Sequence, residues 1–305
     1  MSGFIDLQVN GYFGVDFNAD SLSEESMVKV CQQLRKDGTD RILATVITAP
    51  LEAMLKRIEQ IASLIQGNPK IAAVIAGIHV EGPFLNAADG FVGAHPADAT
   101  MDACPETVGR LIDAGHGTVK FVTLAPERDP GGQVTRKLTD LGITVAAGHS
   151  DATVDQLNDA IDQGLKLFTH LGNACPGMLP RHDNIIQRVL SLSDRLSISF
   201  IADGHHVPPM ALKNYLQCVP SENVVIVTDA ISAAGLGPGR YQLSGQVVEV
   251  DLHGAAWAAC KTHFAGCAST FPQMVDVLKN QVGVSDHQID QWMRVNPGRI
   301  LRGND

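Results

Sequence analysis

The sequence lacks the features that mark several large classes of protein. It has no run of 18 apolar residues and no charged N-terminal segment followed by an apolar stretch, so we expect a cytoplasmic protein without a membrane anchor. Lysine and arginine do not cluster, and the net charge is −10, which argues against a nucleic-acid or anionic-membrane partner. A small anionic substrate remains compatible with this charge if its pocket is locally positive.

Cysteine motifs are also missing. The six cysteines are scattered without a C-x-x-C pair, so we expect neither a disulfide framework nor a structural zinc site, but free and mostly buried thiols. The 305 residues are 45% apolar and 18% charged, which is the composition of an ordinary folded domain.

What the sequence does contain is an alternation of short β-branched runs with amphipathic segments. The candidate strands are residues 4–10, 41–47, 72–81, 119–125, 143–149, 165–170, 197–203 and 223–229. Near-continuous apolar strands separated by helices are typical of a parallel sheet that is covered on both faces. Because no Gly-rich dinucleotide motif follows the first strand, eight units favour a closed (β/α)₈ barrel of the TIM type over an open sheet.

The same pattern predicts how the chain is organised. Residues 1–305 form a single barrel domain with a β-hairpin inserted at about 240–264, and two helices at about 269–281 and 285–294 follow it. The first helix is predicted to begin in a capping box of Ser21 and Glu24 and to end at Gly38.

Polar residues recur at the ends of the predicted strands, where barrels of this type carry their chemistry. They are His79, Glu81, His149, His170, Asp203, His205, His206 and Asp229. Glu81, His149 and His170 supply two imidazoles and a carboxylate, a set that binds Zn²⁺ or Fe²⁺ and leaves a coordination position open. Such a metal lowers the pKa of water and polarises a carbonyl, and Asp229 is placed to act as general base. These residues therefore predict amide hydrolysis.

Nine segments stand in the order in which one known family carries them. They are GFIDLQVNG, GIHVEGPF, GAHP, VTLAPE, AGHSDAT, THLGNACPGM, IADGHHV, VTDAISAAG and NPGRIL, and they extend from residue 3 to about residue 301. Through them the chain resembles the N-acetylglucosamine-6-phosphate deacetylases of the amidohydrolase superfamily. The small β-sandwich domain that usually accompanies the family's barrel has no counterpart here, so we expect a barrel-only form.

The resemblance gives a meaning to Gln8 and Asn10 at the end of the first strand. Many amidohydrolases hold a second metal there with His-x-His, whereas some of these deacetylases have Gln-x-Asn. Since neutral amides are poor ligands for transition metals, we expect one divalent metal per chain, with Gln8 and Asn10 hydrogen-bonding around a vacant second-metal position. Zinc is the expected ion, with Fe²⁺ or Co²⁺ as alternatives. An equal alternative is that both amides only form hydrogen bonds with backbone groups at the mouth of the barrel.

The resemblance also assigns roles to other residues. It implies that Asp229 is the catalytic acid and base, and that His95 contacts the substrate and polarises its acetyl carbonyl. It implies sugar binding by His206, phosphate binding by Asn173 and Ala174, and a phosphate contact by Arg181 from the neighbouring subunit of a homodimer.

The expected reaction is hydrolysis of the acetamide of N-acetyl-D-glucosamine 6-phosphate to glucosamine 6-phosphate and acetate. The galactosamine epimer or another N-acyl substrate is an alternative, because nothing in the sequence indicates which configuration of the sugar's C4 hydroxyl the site selects. A non-catalytic sugar-phosphate sensor is the alternative from another class, and the presence of all three ligands together with Asp229 disfavours it.

Overall fold

The computed structural model describes residues 3–261 and 263–302. Eight parallel strands form the central sheet in sequence order: β1 Phe4–Val9, β2 Thr39–Ile47, β3 Ile75–Glu81, β4 Val119–Leu124, β5 Thr144–Ala147, β6 Leu165–Phe168, β7 Ser197–Ile201 and β8 Val224–Val227. The sheet curls into a nearly closed barrel with helices between its strands. The predicted (β/α)₈ fold is therefore confirmed.

Helices connect the strands and cover the outside of the barrel. They are α1 Glu24–Lys36, α2 Leu51–Gly67, α3 Pro69–Ala72, α4 Pro105–Ala114, α5 Gln133–Asp140, α6 Val154–Asp162, α7 Ile185–Leu190, α8 Pro209–Cys218, α9 Phe271–Val277, α10 Asp286–Asp290 and α11 Asn296–Arg302. Single 3₁₀ turns lie at Ala97–Ala99, Pro126–Arg128, Pro130–Gly132 and Ser221–Asn223, and π-helical turns at Leu278–Val282 and Gln291–Val295 extend α9 and α10. No helix among the described residues is both long and apolar enough to cross a membrane.

The N-terminus of α1 differs from the sequence prediction. Ser23, and not Ser21, is the N-cap, because its hydroxyl accepts a hydrogen bond from the Ser26 amide at 3.1 Å. The predicted capping box of Ser21 and Glu24 is wrong, since Glu24 is already the first helical residue.

The seam between β1 and β8 is held mainly by side chains and by the segment beyond β8. The Asp6 carboxylate accepts hydrogen bonds from the Thr228 hydroxyl at 2.6 Å and from the Thr228 amide at 3.2 Å. The Ala230 carbonyl accepts the amides of Asn10 at 2.7 Å and Gly11 at 3.1 Å. These bonds fix the end of β1 beside the end of β8, where the predicted site residues lie.

A small antiparallel sheet follows β8. It has three strands, β9 Gly239–Leu243, β10 Gln246–Val250 and β11 Ala256–Ala258, where the sequence predicted a hairpin. Its buried face includes Leu243, Val248 and Ala256 and packs against Ile231. The sheet is thereby fixed at the carboxyl end of the barrel.

None of the six cysteines, which all lie in the described part of the chain, forms a disulfide bond, in agreement with the sequence. The expectation that most are buried is wrong: Cys31 and Cys267 are buried, but Cys104 and Cys175 are only partly so, and Cys218 and Cys260 are exposed.

Candidate active site

A cavity of about 810 Å³ opens at the carboxyl end of the barrel. Its walls combine residues from strand ends, from the loop that follows β6, and from the inserted sheet. Among the predicted site residues, those in the lining are Asn10, Glu81, His95, His149, His170, Asn173, Ala174, His206 and Asp229. The fold thus gathers residues that are far apart in the sequence around one space.

Glu81 lies at the centre of a buried group of histidines. Its Oε1 is 3.3 Å from His149 Nε2 and 3.2 Å from His170 Nε2, and its Oε2 is 3.8 Å from His95 Nε2. The His95 and His149 Nε2 atoms are themselves 3.3 Å apart. The ligand atoms of Glu81, His95 and His149 lie within 4.8 Å of one another, a group that includes His95 but not the predicted ligand His170, whose Nε2 lies 3.2 Å from Glu81 Oε1.

Electrostatics keep the group ready to bind a cation. Burial alone would raise the pKa of Glu81, but hydrogen bonds from His149 and His170 outweigh it and hold that pKa well below its usual range. Burial lowers the pKa of His95 to about 3, so this imidazole is neutral. His149 Nδ1 lies 3.0 Å from the Phe91 carbonyl, to which it can only donate, so Nε2 is the ring nitrogen that faces Glu81 and His95.

Gln8 braces the Glu81 carboxylate. Its Nε2 donates to Glu81 Oε1 at 2.8 Å, and its Oε1 accepts from the Thr169 hydroxyl at 2.7 Å. The opposite orientation of the amide would put two oxygens in contact, so the carboxylate fixes the orientation. The carbonyl oxygen of Gln8 is consequently turned away from Glu81.

Asn10 makes the corresponding contact to Asp229. Its Nδ2 donates to Asp229 Oδ1 at 2.7 Å, whereas its buried Oδ1 has no hydrogen-bond partner among the described residues. Burial, with a smaller contribution from the charge on Glu81, raises the pKa of Asp229 to about 6. A carboxyl with this pKa can exchange a proton near neutral pH.

The backbone is strained where the site residues leave their strands. His149, His170 and Asp229 have φ values of 52°, 35° and 51°, in the left-handed region that non-glycine residues rarely occupy. Such strain is commonly found at functional sites, where the surrounding structure compensates for it. Here it turns three side chains into the cavity.

The remaining predicted residues divide into two groups. Asn173, Ala174 and His206 line the cavity, and Asn173 Nδ2 also donates to the His170 carbonyl at 3.0 Å. Arg181 is exposed and is not part of the cavity lining. His79, also predicted at a strand end, is fully buried and does not line the cavity, and its Nε2 lies 2.8 Å from the Thr123 hydroxyl.

Sequence reasoning missed the contribution of the inserted sheet. Trp257, His263 and Phe264 line the cavity, and the Phe264 ring lies 4.9 Å from the ring of His206. Aromatic residues make up only 5% of this chain, and a Trp and a Phe close together in an insertion were the available signal.

Comparisons with known proteins identify the family of the chain. The amidohydrolase family profile matches residues 1–241. The N-acetylglucosamine-6-phosphate deacetylase of Bos taurus is 41% identical over 98% of this chain and 73% of its own length. The N-acetylgalactosamine-6-phosphate deacetylase of Escherichia coli O157:H7 is 31% identical over 98% of this chain and 77% of its own.

Solved structures give the same result. The Mycobacterium smegmatis N-acetyl-D-glucosamine-6-phosphate deacetylase, in a mutant form bound to N-acetyl-D-glucosamine-6-phosphate, superposes with a TM-score of 0.88 at 31% identity, covering 99% of this chain and 77% of that chain. The Thermotoga maritima N-acetylglucosamine-6-phosphate deacetylase gives a TM-score of 0.86 at 26% identity, covering 99% and 78%. The chain belongs to the amidohydrolase family, in its branch of N-acetylglucosamine-6-phosphate deacetylases.

Proposed function

We propose that this protein hydrolyses the acetamide of N-acetyl-D-glucosamine 6-phosphate to glucosamine 6-phosphate and acetate. The observation that carries the proposal is the pairing, in one cavity, of a buried carboxylate and histidine group with the separate carboxyl of Asp229. The named relatives support the substrate class.

The residues around Glu81 fit a divalent metal. Three imidazoles converge on one buried carboxylate with their Nε2 atoms 3.2–3.8 Å from its oxygens, an arrangement that a shared cation stabilises. We infer one catalytic metal per chain, zinc in the first instance, held by Glu81, His149 and His170. When bound, it would lower the pKa of water and polarise the acetyl carbonyl.

The chain's own residues account for the proton transfers. Ionised Asp229 takes a proton from the attacking water as the C–O bond forms, and delivers it to the nitrogen as the C–N bond breaks. His95 donates an N–H to the acetyl oxygen, where negative charge develops. Asn10 holds Asp229 through Nδ2, and its unpartnered Oδ1 offers an acceptor to the water or to the substrate amide.

Substrate recognition falls to the rest of the cavity. His206 is placed to bind the sugar, and Asn173 and Ala174 are placed to bind the phosphate. Arg181 makes no ion pair within residues 3–261 and 263–302, and lies on the loop that also exposes 92% of Met178. We therefore assign it to the phosphate site of a neighbouring subunit in a homodimer, where a guanidinium would bind a dianion bidentately.

The decisive assay is acetate release by purified protein, with metal content measured on the same sample. We expect one metal per chain to be sufficient for release from N-acetylglucosamine 6-phosphate, and slower release from the galactosamine epimer assayed in parallel. A faster reaction with the epimer would reassign the substrate in favour of the E. coli relative's named activity. Metal-loaded protein that releases no acetate from either compound would refute the proposal.

Gln8 is predicted to matter through Glu81. Gln8→Met keeps the length of the side chain but removes its hydrogen bonds to Glu81 and Thr169, so the carboxylate loses its orientation. We expect metal affinity or kcat/KM to fall roughly 10- to 100-fold, the usual effect of losing a partner of a metal ligand. Gln66→Met, on the surface of α2, is the matched control. Wild-type affinity and kinetics in Gln8→Met would contradict this role.

A further inference from the structure

A second group of metal-binding side chains lies beside the cavity, apart from Glu81. Asp203 Oδ2 is 2.7 Å from His206 Nδ1 and 3.4 Å from Cys267 Sγ. The ligand atoms of all three residues lie within 4.8 Å of one another. They come from separate parts of the chain: Asp203 and His206 follow β7, and Cys267 follows the inserted sheet.

Asp203 and Cys267 are buried, and His206 is partly buried. Asp203 is 7% exposed and Cys267 is 0% exposed, while the His206 side chain is 7% exposed and lines the cavity. His206 therefore connects the group to the cavity, through which an ion could reach it. Within the described residues no lysine or arginine is ion-paired to Asp203, so a cation would meet an unneutralised carboxylate.

We propose that Asp203, His206 and Cys267 form a second binding site, for a borderline-soft divalent cation such as Zn²⁺ or Co²⁺. Oxygen, nitrogen and sulfur donors in this combination are the ligands such ions prefer, and three protein ligands leave one position open toward the cavity. The carboxylate and a thiolate together balance the two positive charges of the ion. This site does not depend on the proposed deacetylase activity.

Binding requires two changes of protonation. Burial, together with the charge on Asp203, raises the pKa of the Cys267 thiol well above its usual value, so the thiol loses its proton to solvent as the metal–sulfur bond forms. His206 Nδ1, which now donates to Asp203, must give its lone pair to the ion, and its proton moves to Nε2. Asp203 is already ionised: burial opposes this, but the hydrogen bonds from His206 and the neighbouring amides lower its pKa to about 2.

Cobalt spectroscopy tests the site without reference to activity. The Glu81 group contains no sulfur, so a thiolate-to-cobalt charge-transfer band in the near ultraviolet would report only a cysteine-containing site. We expect protein loaded with a single equivalent of zinc, which occupies the Glu81 group, to develop this band when titrated with Co²⁺ and to saturate it at one cobalt per chain. The absence of a band in the wild type would overturn the proposal.

Variants locate the sulfur. Cys267→Ser should abolish the band, and Cys267→Ala is a second variant in case the first folds poorly. Retention of zinc at the Glu81 group and a native far-ultraviolet spectrum establish that either variant is folded. Cys260→Ser is the matched control, because Cys260 Sγ also lies near a histidine, 3.9 Å from His263 Nδ1, and this variant should keep the band. Loss of the band in Cys260→Ser, with retention in Cys267→Ser, would overturn the assignment.

Discussion

Asp229→Asn is expected to lower kcat by roughly 10²- to 10⁴-fold while leaving the metal content unchanged, the range for losing a positioned acid and base. The amide has the shape of the carboxylate but cannot accept the proton of the attacking water. Asp229 is not among the residues that surround Glu81 at 3.2–3.8 Å, so the metal group is preserved. Single-turnover kinetics with metal analysis would measure both quantities.

The pH profile distinguishes this role from a structural one. Since burial raises the pKa of Asp229 to about 6, the base is lost as the pH falls through that value, and log kcat/KM should decline with unit slope. A cation bound at Glu81 would favour the ionised form of Asp229, so this decline in log kcat/KM, the acidic limb of the profile, is expected at or below pH 6.

Asp229→Asn should lack this acidic limb. Asp129→Asn is the control: Asp129 is also buried, but it binds the amides of Val134 and Thr135 at the start of α5, so its loss should leave the limb in place. An acidic limb unchanged in Asp229→Asn would assign the proton transfers to another group.

Glu81→Gln is expected to remove the metal and, with it, the activity. The substitution keeps the size of the side chain but deletes the charge on which His149 and His170 converge. The loss of affinity should exceed the roughly 10- to 100-fold that follows loss of a ligand's supporting partner, because a direct ligand is removed. Metal analysis after gel filtration, with titration calorimetry on the apoprotein, measures this loss.

A matched substitution distinguishes the effect of removing a carboxylate charge at the metal group from the effect of removing one elsewhere at the barrel rim. Glu127 accepts hydrogen bonds from Ser150 and from the Asp151 amide, and it is absent from the cavity lining. Glu127→Gln should therefore keep the metal. Stoichiometric zinc in purified Glu81→Gln would show that the histidines hold the ion without this carboxylate.

The barrel could be predicted because its strands are local patterns. Each predicted strand lies within three residues of the observed one at both ends, and the largest error at an N-terminus is in β3. There the prediction began at residue 72, but Asn68 caps α3, which ends at Ala72, and β3 starts at Ile75. The start of β3 is therefore set by a helix cap that one side chain forms, and hydrophobic periodicity does not detect such a cap.

Some contacts of the site could likewise be predicted from the sequence, and others could not. Residues at strand ends could be brought together from the sequence because parallel strands all end at one rim of the barrel. The contact between Asp203 and Cys267 spans 64 positions and depends on how the chain returns from the inserted sheet, which no spacing encodes. The Ser21 cap failed for a smaller reason, since three serines near the helix start, Ser21, Ser23 and Ser26, compete for one role.

The seam between β1 and β8 has a consequence for how the site keeps its shape. Within the described residues the sheet order begins at β1 and ends at β8, so a few hydrogen bonds around Asp6 and Ala230 join the two strands where other neighbours share a ladder. The free energy of local opening is lowest where the fewest hydrogen bonds must break, so we expect the barrel to open locally at this seam first. Asn10 and Asp229 lie on its two sides, and the 2.7 Å hydrogen bond between them connects the two edges of the seam. Breaking this hydrogen bond would free the proton-carrying carboxyl to move relative to Glu81, so the closed seam keeps the two carboxylates of the site in alignment.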